Sequence, residues 1–80
     1  MTAATGPEVR LDLRGLHCPM PVLRVRKALR EVPVGGGITV ECTDPLTLID
    51  IPNFCREAGH DLAEATRQEG LFVFRIVRRR

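Results

Sequence analysis

The chain has no tryptophan, no tyrosine and only three phenylalanines. So few rings leave little on which to stack bases, which argues against direct binding of single-stranded nucleic acid. Its three cysteines are odd in number and lack framework spacing, so a reducing, cytoplasmic setting is expected rather than a disulfide scaffold. No apolar run approaches the ~20 residues of a membrane span, and the first eight residues lack the apolar stretch of a signal peptide. The loop Pro33-Val34-Gly35-Gly36-Gly37 carries no Lys, Ser or Thr at the spacing of a phosphate cradle. Cys18, Cys42, Cys55 and His60 contain no ligand pair at zinc spacing, so no metal is expected.

What is present is one small domain. Eighty residues with 44% hydrophobic content suffice for a modest aliphatic core. Residues 1–7 read as a disordered leader, 8–78 as the domain and 79–80 as a basic tail. The net charge of +2 is unevenly spread. Residues 1–30 hold six basic and two acidic side chains, residues 31–77 three and eight, and Arg78-Arg79-Arg80 closes the chain. The first helix is therefore the basic side, a surface suited to an acidic partner or, equally, an ordinary solvated face.

Hydrophobic periodicity sets the elements. Val9, Leu11 and Leu13 alternate with Arg10 and Asp12, a half-buried strand. From about Pro19 to Glu31, Val22, Val25, Ala28, Leu29 and Val32 share one helical face; Arg24, Arg26, Lys27 and Arg30 share the other, with Leu23 among them. Ile38, Val40 and Cys42 mark a second strand, and strand–helix–strand implies a parallel, right-handed crossover. Asp44 is expected to cap a second helix with Pro45 at its first position. Pro52 should break or kink that helix, which restarts near Asp50 and ends at Gly59. Leu46 and Ile49 point away from its buried face. Asp61 to Gln68 and Leu71 to Val77 form a hairpin through Glu69-Gly70. The order β-α-β-α-β-β predicts an α+β, two-layer sandwich: a four-stranded mixed sheet with two helices on one face.

Gly15-Leu16-His17-Cys18-Pro19-Met20-Pro21 joins the first strand to the first helix. Gly15 allows a tight exit, and Pro19 and Pro21 suit a helix's first turn and stiffen a ledge that presents Cys18. The cysteine is expected at the N-cap, where the helix dipole favours a thiolate by roughly 0.3–1 kcal/mol. That is less than one pKa unit, so the expectation is an accessible, moderately activated nucleophile. Cys42 and Cys55 fall on apolar faces and read as structural thiols. His17 is a possible general base, although neighbours in an extended segment point apart.

Read together, Leu11 to Pro21 closely resembles the Cys-Pro-x-Pro signature of the TusA/SirA-like sulfur carriers. Thr43-Asp44-Pro45, then Asp50-Ile51-Pro52-Asn53-Phe54-Cys55 and Gly59-His60-Asp61-Leu62, resembles that family's second signature. The resemblance covers roughly Val9 to Val77. It implies a persulfide carried on Cys18 without a bound cofactor, a cysteine desulfurase as donor and a downstream relay protein as acceptor. Destinations in relatives are tRNA thiolation, molybdenum cofactor synthesis or other sulfur traffic. The chain is expected to act as a monomer, with Arg14, Leu23, Arg24 and Lys27 as docking residues. The competing reading is a non-catalytic module whose basic first helix binds an acidic protein or nucleic acid.

Overall fold

The computed structural model describes residues 8–80; the leader expected over residues 1–7 lies outside them. Six elements follow in order: β1 (Glu8–Leu13), α1 (Met20–Glu31), β2 (Gly37–Cys42), α2 (Thr47–Ala58), β3 (Asp61–Gln68) and β4 (Leu71–Val77). The strands stand in the order β1-β2-β4-β3. β1 and β2 are parallel, as the α1 crossover requires, and β4 pairs antiparallel with both β2 and β3.

Alternation decides which face of the sheet is covered. Ile38, Val40 and Cys42 on β2 and Phe74 and Ile76 on β4 have no exposed surface, and Leu13 and Phe72 are nearly buried. From above, α1 sets Val25, Ala28 and Leu29 on them, and α2 sets Ile51, Phe54 and Cys55. Each fully buried aliphatic or aromatic side chain contributes about 1.5–3 kcal/mol from water exclusion. The opposite face carries Arg10, Thr39, Glu41 and Arg75, with Arg10 Nη2 2.9 Å from Glu41 Oε2. One apolar and one wetter face is what the alternation predicts.

Three local expectations need correction. The second helix does not begin at Asp44-Pro45. Thr47 N and Leu48 N bond to Asp44 O and Pro45 O in tight turns, and α2 starts at Thr47 with Leu46 as its N-cap. Asp44 spends its carboxylate elsewhere, as described below. Nor does Pro52 break the helix, which runs unbroken through it. Proline's φ is helical; what it lacks is the amide that would reach Leu48 O. Burial of Ile51, Phe54 and Cys55 on both sides of that gap holds the turn together.

The hairpin turn is as expected, with Glu69 at φ 51° and Gly70 at φ 83°, the paired left-handed conformation that fits a two-residue connection. β3 is an outer strand with a register shift between Leu62 and Glu64. All its residues but Leu62 are exposed, so the helices leave it largely uncovered.

Candidate functional site

The ledge carrying Cys18 is built by three tethers. Gly15, at φ 83°, donates its N–H to Thr43 Oγ1 at 2.9 Å, and nothing lies within 4 Å of where a Cβ would be, so backbone conformation alone calls for glycine. Met20 N bonds to His17 O at 2.8 Å, closing a turn across Cys18 and Pro19. Cys18 N donates to Asp44 Oδ2 at 2.8 Å, while Leu46 N donates to Asp44 Oδ1 at 3.1 Å. One buried carboxylate thus joins the starts of α1 and α2. Thr47 fixes it from behind, its hydroxyl donating to Asp44 O at 2.7 Å.

Cys18 is exposed, whereas Cys42 and Cys55 are 0% and 2% exposed. Burial pushes both inner thiols up to about 11. The expectation that Cys18 caps α1 is off by one: Pro19 is the N-cap, with no side-chain cap bond, and Cys18 stands outside it. The electrostatic expectation also changes direction. The Cys18 thiol donates to the Asp50 carboxylate, and that bond holds it above the ordinary thiol range. Partial desolvation and the charges of Asp50 and Asp44 push the same way. The helix dipole is a small effect that falls off within the first turn. Two nearby carboxylates outweigh it, and Cys18 rests as a neutral thiol at neutral pH.

Asp44 itself is held below the usual carboxylate range by the N–H groups of Cys18 and then Leu46. The exposed His17 ring lies 4.0 Å from the same carboxylate, Nδ1 to Oδ2. The ring therefore faces Asp44 rather than the thiol.

The other nominated residues divide into two groups. Arg14 is occupied: its Nε and Nη2 clasp Asp12 at 2.8 and 2.9 Å, and its own N–H adds a third contact. That clasp holds Asp12 at about 2. Arg24 and Lys27 are exposed on α1 with no ion pair among the described residues, and Leu23 is 46% exposed beside them. Met20, Leu46 and Ile49 are also exposed, and they stand on the first turns of the helices that flank the thiol. Pro21 is fully buried, so it anchors the ledge from below.

Between α1 and α2 runs a groove. Its first part, about 340 Å³, is lined by Cys18, Pro19, Val22, Asp50 and Asn53. Arg26, Phe54 and Glu57 border this part and also a second part of about 380 Å³ that reaches Arg78 and Arg80. The Arg26 guanidinium lies 5.7 Å from the Phe54 ring centre.

Sequence reasoning missed Asp50 as the thiol's partner and Asp44 as the clasp of the ledge. Both lie more than 25 positions from Cys18, and no local periodicity brings them there. The second signature contains both residues, which is the one sequence signal that pointed to them.

The comparisons agree with this geometry. Residues 9–78 match the family described as Sulfurtransferase TusA. A sulfur carrier protein TusA from Pseudomonas syringae pv. syringae is 42% identical over 69 residues, which span 86% of this chain and 82% of that one. Its namesake from Pseudomonas putida F1 is 40% identical over 70 residues, 88% of each chain. The crystal structure of a SirA-like protein from Desulfitobacterium hafniense superposes with a TM-score of 0.78 at 27% identity, covering 90% of this chain and 99% of that one. The family match spans residues 9–78, the two relatives and the solved structure each cover more than four fifths of the chain, and the chain belongs to the TusA family.

Proposed function

We propose that this protein is a sulfur carrier that holds its cargo as a persulfide on Cys18. The observation that carries this reading is that Cys18, alone among three cysteines, is exposed, on a ledge clamped by Asp44. Cys18 sulfur attacks the terminal sulfur of a donor persulfide, and the donor's S–S bond breaks as a new one forms on Cys18. The thiol proton ends on the donor's departing sulfur. An acceptor thiolate then attacks the terminal sulfur of Cys18–S–SH and Cys18 leaves as its thiolate. No external oxidant or reductant is needed, because each step exchanges one S–S bond for another. Covalent relay divides one difficult delivery into two easier steps.

The donor in this reading is a cysteine desulfurase and the acceptor a relay protein, for tRNA thiolation, molybdenum cofactor synthesis or related traffic in the cytoplasm. Docking falls to Leu23, Arg24 and Lys27, joined by Met20, Leu46 and Ile49, since a patch of apolar side chains rimmed by charge is a usual docking surface. The neutral resting thiol fits an exposed carrier, because the thiolate is the form most open to stray oxidation. No helix among the described residues is long and apolar enough to cross a membrane.

Incubation with a desulfurase and cysteine, followed by mass spectrometry, tests the proposal. The expected result is a mass increase of about 32 Da, one sulfur atom, on the Cys18 peptide only, abolished in Cys18→Ser. Sulfur loading that persists in Cys18→Ser refutes it. The non-catalytic reading predicts the opposite pattern, with Cys18→Ser active and charge reversal at Arg24 and Lys27 inactive.

A further inference from the structure

The far end of the groove is a cleft of about 380 Å³ at the C-terminal ends of α1 and α2. Arg26, Arg30, Arg78 and Arg80 line it, and Glu57 is its one acidic side chain. Helix C-termini attract cations, so capping is the first explanation to weigh. It accounts for one arginine. Arg78 Nη1 donates to Val32 O at 2.6 Å and to Arg30 O at 3.5 Å, and its Nε donates to Arg80 O at 2.7 Å. The end of α2 is closed without a side chain, since Gly59 N and His60 N both bond to Cys55 O. Arg26, Arg30 and Arg80 therefore exceed what capping requires. None of the three has an ion pair among the described residues, and Arg26 lies over the Phe54 ring.

The charge is unbalanced. Glu57, the Arg80 main-chain carboxylate that Arg78 Nε contacts, and the negative ends of two helices, about half a charge each, offset three of the four guanidiniums. Roughly one positive charge remains in the recess. His60 lies on its wall with Nδ1 accepting the Arg79 N–H at 3.2 Å, which leaves Nε2 as a neutral donor. Burial, then Arg78 and Arg80, hold that ring below its usual pKa. Guanidinium groups grip phosphate oxygens in pairs, and a phosphate monoester carries close to two negative charges.

We propose that the Arg26–Arg30–Arg78–Arg80 cleft is an anion site for a phosphate dianion, a pyrophosphate or the monoester end of a small molecule. It is separate from the thiol and goes beyond sulfur carriage. Binding here places an anionic ligand in the same groove as Cys18, with Arg26 and Phe54 bordering both parts.

The test uses calorimetry and thermal shift at low ionic strength with the full chain. The probes are inorganic pyrophosphate, a nucleoside 5′-monophosphate, the bare nucleoside, and an RNA oligomer without terminal phosphates. The R30Q/R80Q variant removes two cations that carry no cap, and R24Q/K27Q removes two from the same helix outside the cleft. We expect saturable pyrophosphate and monophosphate binding, at least tenfold weaker in R30Q/R80Q and unchanged in R24Q/K27Q, with no response to the bare nucleoside. Equal weakening in both variants, absence of saturation, or RNA binding at least as tight per phosphate as pyrophosphate overturns the proposal. Sulfur loading of Cys18 in R30Q/R80Q is measured alongside and should be unaltered, so the two readings fail separately.

Discussion

At one end of the interhelical groove two carboxylates stand beside a neutral thiol, and at the other four guanidiniums share a recess with one acidic side chain. Both helices run from the first end to the second, so each end places charge against the helix dipole in the favourable sense. The outcomes differ because the charges are used differently. Asp44 is consumed by two backbone N–H groups and Asp50 by the thiol, so little positive potential is left to acidify Cys18. Only Arg78 is consumed in the same way at the far end, and a surplus of charge remains. A helix N-terminus is thus no assurance of a reactive cysteine, since the acids that complete the N-terminus can reverse its effect on a neighbouring thiol.

The contrast can be broken most severely at Arg78. Its side chain satisfies the last carbonyls of α1, and its backbone bonds to Gly35 and Gly36, so one residue closes the C-terminal end of the helix and the following loop. Arg78→Ala should lower stability by about 1.5–3 kcal/mol, the value of hydrogen bonds to a charged group. Urea denaturation checks this, and a loss below ~0.5 kcal/mol would mean that water caps the helix equally well.

A milder change sharpens the other end. Asp50→Asn removes the carboxylate that raises the Cys18 thiol, so its pKa should fall and the thiolate fraction at neutral pH should rise. Iodoacetamide should then alkylate Cys18 about two- to tenfold faster at pH 7.5. Cys42 and Cys55 should stay unmodified in the native protein of either form, protected by burial.

The smallest effect is a change in acid sensitivity. Asp44 has a folded-state pKa below its unfolded value, so its contribution is full above about pH 4 and disappears as pH falls through the folded value. Melting temperature followed from pH 7 to pH 2 should drop less steeply in Asp44→Asn than in the parent. Asp12, held at about 2 by Arg14, adds a second acid-labile contact, so Asp12→Asn serves as the control.

Much of this molecule was legible because its periodicities are clean. Val9, Leu11 and Leu13 alternate as a half-covered strand must, and Val25, Ala28 and Leu29 repeat as a helix on a sheet must. Leu46 and Ile49 were placed outside, and they are 50% and 59% exposed. The motif around Gly15 and Cys18 marked the ledge. Errors arose where tertiary contacts override local rules. Asp44-Pro45 has the composition of a helix start, yet Asp44 is drawn across to the Cys18 amide. Pro52 has the composition of a break, yet buried neighbours on either side carry the helix through it. The thiol's acidity depended on Asp50, which no spacing relates to Cys18.

Burial of Cys42 and Cys55 has a consequence for supply. Under the proposed carriage on Cys18, a single thiol within reach of solvent gives each molecule one loading point. Throughput would then be set by how many copies circulate and how quickly each is emptied, as with a fleet of single-seat ferries.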